Sequence, residues 1–216
     1  MIKNQIWLAT FLLCMIQSIY TQDKNEINCP ATKDTWISTV GAESKTNGGK
    51  SPKIKLKVLQ EFALLDFDIS ALKGKKIARA FLCVSPEGAA KFGGARGTDL
   101  RWFTISTVAS LWEEGLGNQY DVDTAGKGAT FLEASHGTRP WTFPGSICCD
   151  VILGNGHTIR MDVDAGDPKD GWLKIPLDKR LVEALVSGAS YGLALLDGST
   201  GIDRNCLISS REGKHP

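Results

Sequence analysis

The sequence has almost no net charge: 25 basic residues against 24 acidic ones leave +1 over 216 positions. Nothing global therefore steers it toward nucleic acid or an anionic membrane, and a charged partner has to be met by a local patch. Histidine is scarce, with only His136, His157 and His215. No G-x-S-x-G elbow, H-E-x-x-H pair or phosphate-cradling P-loop occurs, so the common hydrolase, metalloprotease and NTPase signatures are missing. No C-x-x-C pair is present either, which argues against a zinc site. Proline stops at 8 while glycine reaches 23, a balance that suits tight turns between short strands rather than long helices. No Pro- or Ser-rich linker and no internal repeat divides the chain, so a single domain is predicted.

Long apolar runs are also missing, with one partial exception. Lys3 precedes Ile6-Trp7-Leu8-Ala9 and the stretch from Phe11 to Ile16, after which Thr21-Gln22-Asp23-Lys24 turns polar. This is the layout of a secretory signal peptide over residues 1–22, too interrupted by Thr10 and Gln17 to span a bilayer. The bulky Leu13 before Cys14 disfavours a lipoprotein. Lys3 is the only charge in the leader, so the exported chain, residues 23–216, is formally neutral. It keeps Cys29, Cys83, Cys148, Cys149 and Cys206, an odd number that leaves at least one thiol without an intramolecular partner. Cys83 lies in an alternating apolar segment and is expected to be buried. Of Cys148 and Cys149, at most one is expected in the core.

What is present is period-two alternation. Lys53-Ile54-Lys55-Leu56-Lys57-Val58 predicts a half-buried strand, and the segments 61–69, 77–84, 100–108, 172–175, 191–196 and 205–209 follow suit. One helix is predicted over Asp178–Ser187, capped by Asp178, striped by Leu181, Val182, Leu185 and Val186, and stopped by Gly188. Between Trp112 and Trp172 the chain is rich in Gly, Asp and Thr and is expected to be a long, loop-rich insertion. The sum is an all-β fold, an antiparallel β-sandwich or jelly roll with one short helix and long loops.

The order of features from Asp34 to Glu212 resembles the DNRLRE-type modules, carbohydrate-binding module family 96. The resemblance is carried by Asp34-Thr35-Trp36-Ile37, the Asn47-Gly48-Gly49 turn, Leu65-Asp66-Phe67-Asp68-Ile69-Ser70 and the run from Leu72 to Leu82. It continues through Trp112-Glu113-Glu114-Gly115, Tyr191-Gly192-Leu193-Ala194-Leu195 and Ser209-Ser210-Arg211-Glu212. It implies a β-jelly-roll without catalytic activity that attaches secreted enzymes or surface proteins to glycans such as alginate. Such modules run into one more apolar strand, so the chain is expected to lack its last strand and to belong to a longer multidomain protein.

Several residues then become candidates for binding an acidic polysaccharide. On a strand, Lys53, Lys55 and Lys57 share one face at spacings of about 6–7 Å, matching a polymer with regularly spaced charges. The competing reading is that lysines on an edge strand block further pairing. Arg96, Arg101, Arg139 and Arg160 offer forked donors for carboxylate or sulfate. Arg101 precedes Trp102, and Arg139 stands two residues before Trp141. Trp141, between Pro140 and Pro144, is the expected exposed stacking platform, while Trp36, Trp102, Trp112 and Trp172 are expected in the core. Asp162, Asp164 and Asp167 form an acidic loop that could hold calcium, although it lacks the EF-hand pattern; no other cofactor is expected. Two rival functions stay open. One is a lyase or glycosidase using a carboxylate pair such as Asp66 with Glu113, or a Tyr-His site drawing on Tyr120 or Tyr191. The other is a structural or adhesion module. The expectation is a secreted, non-catalytic module with a polysaccharide as partner, and neither nucleic acid nor, once the leader is gone, a membrane.

Overall fold

A computed structural model describes residues 26–90, 100–118, 127–152, 158–198 and 205–214. Its strands are β1 (Ala31–Ser38), β2 (Lys53–Leu56), β3 (Glu61–Phe67), β4 (Ala80–Val84), β5 (Pro86–Ala90), β6 (Trp102–Thr107), β7 (Arg160–Asp164), β8 (Leu173–Leu177), β9 (Leu193–Asp197) and β10 (Asn205–Ser209). Every strand pair is antiparallel. They form a five-stranded sheet in the order β1-β3-β9-β6-β7, a three-stranded sheet β2-β10-β5 and a two-stranded sheet β4-β8. The chain is all-β, as its alternation predicts. The leader lies outside the described residues, and among those described no helix is long and apolar enough to cross a membrane.

Alternation decides which face each residue joins. One face of the large sheet contributes Trp36, Ala63, Leu65, Phe103, Ile105 and Leu195, which pack against the two smaller sheets through Ile54, Leu56, Leu82, Ile175 and Ile208. This is the core of the sandwich. Helix α2 (Lys179–Val186) closes one side of it with Leu181 and Leu185. Its boundaries follow the predicted signals. Asp178 accepts the Arg180 backbone N–H at 2.9 Å, and Gly188 supplies the left-handed φ of 75° that ends the turn. Hydrogen bonds from the Arg180 side chain hold the Asp178 carboxyl down to about 2.

The opposite face of the large sheet is covered as well. Ile37, Phe62, Leu64, Ala194 and Leu196 form a second core with Trp112, Trp141, Cys148, Val151 and Ile152. The region predicted as a loop insertion is therefore a third layer, anchored by two buried indoles and the one-turn helix α1 (Cys149–Ile152). The same stretch of sequence also supplies β7, the edge strand of the large sheet, which sequence reading missed because Arg160-Met161-Asp162-Val163-Asp164 offers only two apolar residues. Full burial of a large apolar side chain is worth about 1.5–3 kcal/mol, enough for this irregular layer to hold without a strand ladder.

Two further expectations change. Cys83 is exposed, because Leu82 and Val84 take the inward positions of β4 and leave Phe81 and Cys83 outside. The lysine-bearing strand ends at Leu56; Val58 turns the corner to β3 with φ 46° and is half-buried rather than in the core. Among the described cysteines, Cys148 is buried and Cys149 half-buried, and neither forms a disulfide.

Candidate functional site

Among the described residues, most of the basic side chains expected to make one patch are dispersed over the fold and paired with acids. Lys53 lies 3.0 Å from Glu87. Lys55 is only 16% exposed, lies 2.6 Å from Glu61 and sits 5.5 Å above the Trp36 ring. The backbone of Lys57 pairs with Glu61 at the corner. Strand β2 is the free edge of its sheet, so the stripe occupies the place where lysines block strand addition. Glu61 is buried, and burial raises its carboxyl above the ordinary range against the Lys55 hydrogen bond that lowers it. Arg139, in the covering layer, reaches Glu113 at 3.3 Å. Arg96 lies outside the described residues.

Trp141 is not a platform. It is 2% exposed, and its indole N–H donates to the carbonyls of Thr130 at 3.1 Å and Phe131 at 3.2 Å. The reason is the third layer, whose own core needs that ring. The exposed indole belongs to Trp102, at 51%, and Trp172 is also partly exposed. The covering layer packs on the apolar outer positions of β1, β3 and β9. Over β6 and β7 the same face turns polar, with Trp102, Arg160 and Asp162 exposed, Asp164 partly so and Thr104 buried beneath them. Trp102 faces Asp164 across the ladder.

Arg101 stands at the head of this face. Its Nε and Nη2 donate to the two Asp164 oxygens at 2.7 and 2.8 Å, a bidentate clamp that lowers the Asp164 carboxyl. Asp162 accepts from the Thr104 hydroxyl and lies 3.6 Å from Arg160. Asp167 is almost fully exposed, 4.0 Å from Arg101. The expected calcium loop is thus taken up by arginine, and its three carboxylates do not converge among the described residues. What the face offers is an indole platform with guanidinium and carboxylate groups beside it.

A second constellation was not singled out as a site. Asp34 from β1, Asn47, Glu114 and Arg211 come from four distant segments and meet at one point. The Asp34 backbone N–H donates to Glu114 Oε1 at 2.9 Å. The Arg211 backbone N–H donates to Asp34 Oδ2 at 2.6 Å, while its Nη2 donates to both Glu114 oxygens at 2.8 Å. Asn47 donates to the carbonyls of Glu114 and Ala129, both at 2.8 Å, and to Thr35 Oγ1 at 3.3 Å. Burial pushes the Asp34 carboxyl up to about 6, although the Arg211 N–H pulls it down. Oxygens of Asp34, Glu114 and Glu212 lie within 4.8 Å of one another. Such a pair of close acids invites a catalytic reading, but Asp34 is 2% exposed and out of reach of a substrate. The sequence signal for this hub was available: Asp-Thr-Trp-Ile, Asn-Gly-Gly, Trp-Glu-Glu-Gly and Ser-Arg-Glu are the short polar motifs quoted above, and each contributes a member.

Compared with known proteins, the sequence matches no family model and no curated protein.

Proposed function

We propose that the chain is an exported, non-catalytic module that binds a polysaccharide, and that the contact is made by the open β6–β7 face rather than by the lysine stripe. The observation that carries this reading is Trp102, half-exposed on a rigid strand and flanked by Arg101. An indole face takes the CH-rich side of a pyranose ring. Arg101 spends Nε and Nη2 on Asp164, and its Nη1, 4.0 Å from the exposed Asp167, is the donor a uronate carboxylate would compete for. One arginine per sugar subsite favours a uronate-bearing polymer, with a modest rather than steep dependence on salt. Against a degradative enzyme, Asp66 and Glu113 are each held by a different cation, Lys33 at 3.3 Å and Arg139 at 3.3 Å.

Affinity electrophoresis of the secreted protein in gels containing alginate or a neutral glucan tests the reading. Trp102→Ala should weaken retention by roughly tenfold or more, the scale for truncating an aromatic anchor. Arg101→Ala should weaken it on alginate only, and Lys53→Ser should leave it unchanged. Wild-type retention by Trp102→Ala would refute the platform. Release of reducing ends or unsaturated products would refute the non-catalytic assignment.

A further inference from the structure

We propose that Asp34, Glu114 and Glu212 form a divalent-cation site suited to calcium. The inference is independent of the glycan reading and concerns a different part of the fold. The first observation is convergence: three carboxylates from β1, the third layer and the turn after β10 bring one oxygen each within 4.8 Å of the others. Convergence alone is common among acidic residues. The second observation is Asp34 Oδ1, which is buried and has no hydrogen-bond partner among the described residues, on a residue 2% exposed. A buried carboxylate oxygen without a donor calls for a positive partner.

Arg211 does not supply it. Its guanidinium contacts Glu114 at 2.8 Å and Glu212 at 2.9 Å, whereas Asp34 receives only the Arg211 backbone N–H. One positive charge also stands against three negative ones; burial first, and the neighbouring Glu212 and Glu114 after it, raise the Asp34 carboxyl. A cation between the three carboxylates would offset the surplus of negative charge and give the Asp34 carboxylate, whose Oδ1 is unpaired, a positive partner. The donors are all oxygen, with neither histidine nor cysteine, which selects a hard ion over zinc or copper. Three carboxylates of unequal reach fit the flexible six- to eight-fold shell of calcium better than the strict octahedron of magnesium. Glu114 and Glu212 are partly exposed, which gives the ion a route in. With an arginine competing, the dissociation constant should fall near the range of extracellular modules, about 10⁻⁴–10⁻³ M.

The test is calorimetric titration of the EDTA-treated, dialysed protein with CaCl2 or MgCl2, together with thermal scans in 5 mM of each at constant ionic strength. Calcium should raise the midpoint by roughly 3–6 °C, as a half-millimolar site would in a domain of this size, and magnesium by less. Glu212→Gln and Glu114→Gln should each weaken calcium binding at least tenfold, while Asp164→Asn binds as wild type. Should Glu114→Gln fail to fold, the exposed Glu212 decides alone. Absence of heat and of any shift in the folded wild type overturns the proposal. So does unaltered binding by Glu212→Gln, or loss of binding in Asp164→Asn.

Discussion

Replacing Asn47 with alanine is expected to be the most damaging single polar substitution in the protein. The side chain is fully buried, and its two amide hydrogens and its carbonyl oxygen are shared among five polar neighbours. Nδ2 donates to Thr35 Oγ1 at 3.3 Å and to the carbonyls of Glu114 and Ala129 at 2.8 Å. Oδ1 accepts the backbone N–H of Gly49 at 3.1 Å and of Gly117 at 3.0 Å. Each bond is worth about 1 kcal/mol net, and each buried group left unpaired costs about 1–3 kcal/mol. Water entering the vacated space recovers part of this, so the expected loss is about 4 kcal/mol. In urea the midpoint should fall at an unchanged slope, and the thermal midpoint should drop by roughly 8–16 °C. Asn47→Asp separates hydrogen bonding from packing. It keeps the volume and the acceptor toward Gly49 and Gly117, but it turns an oxygen toward two carbonyls and buries a charge. It should be at least as destabilised as the alanine variant. If Asn47→Asp is as stable as wild type, Asn47 is only a spacer and the hub argument fails.

Lys55→Ser should destabilise by about 1–3 kcal/mol, because it strips the buried Glu61 of its partner, whereas Lys53→Ser, on an exposed pair, should change stability by less than about 0.5 kcal/mol; equal effects would refute the distinction. The loss should also depend on pH. Glu61 titrates above its ordinary value of 4.5, so its contribution is full below that value and fades as pH rises through its folded pKa. Removing Lys55 deepens the fade, and urea unfolding should show a larger gap from wild type at pH 7 than at pH 4. Trp141→Ala should cost about 3–5 kcal/mol, the scale for emptying a large core site, and near-wild-type stability in a thermal scan would mean that the third layer does not need it. Gly49→Ala should fail to fold or unfold far earlier on heating, since its Cβ would collide with the Glu114 carbonyl; ordinary stability would show that the approach relaxes.

How far these features were legible in the sequence depended on range. Period-two alternation found β2, β3, β4, β6, β8, β9 and β10, and the Asp178 cap with the Gly188 stop placed α2 almost to the residue, because those signals are local. β7 and the third layer were missed for the complementary reason. The third layer is held by Trp112 and Trp141 packing on Phe62 and Leu196, contacts that leave no periodic trace. The antiparallel ladder of β7 with β6 is likewise a long-range bond pattern, and Asp162 and Asp164 look like a solvated turn until Arg101 and Thr104 are placed beside them.

The expected binding residues and the polar hub differ in how much of their surroundings the sequence discloses. Charge type was read correctly at Lys53, Lys55, Arg101 and Arg139, but charge availability was not, since Glu87, Glu61, Asp164 and Glu113 each come from another part of the chain. A neutral chain has enough acids to pair most of its bases, so counting cations along one strand overstates the field it presents. The polar motifs behaved in the opposite way. Asp34, Asn47, Glu114 and Arg211 each look like ordinary turn or surface residues in isolation. A buried polar side chain has to find partners, however, and the buried Asp34 and Asn47 find theirs in the less buried Glu114 and Arg211. That they do meet, with one oxygen of Asp34 still unpartnered, locates the place where a cation has most to add to the fold.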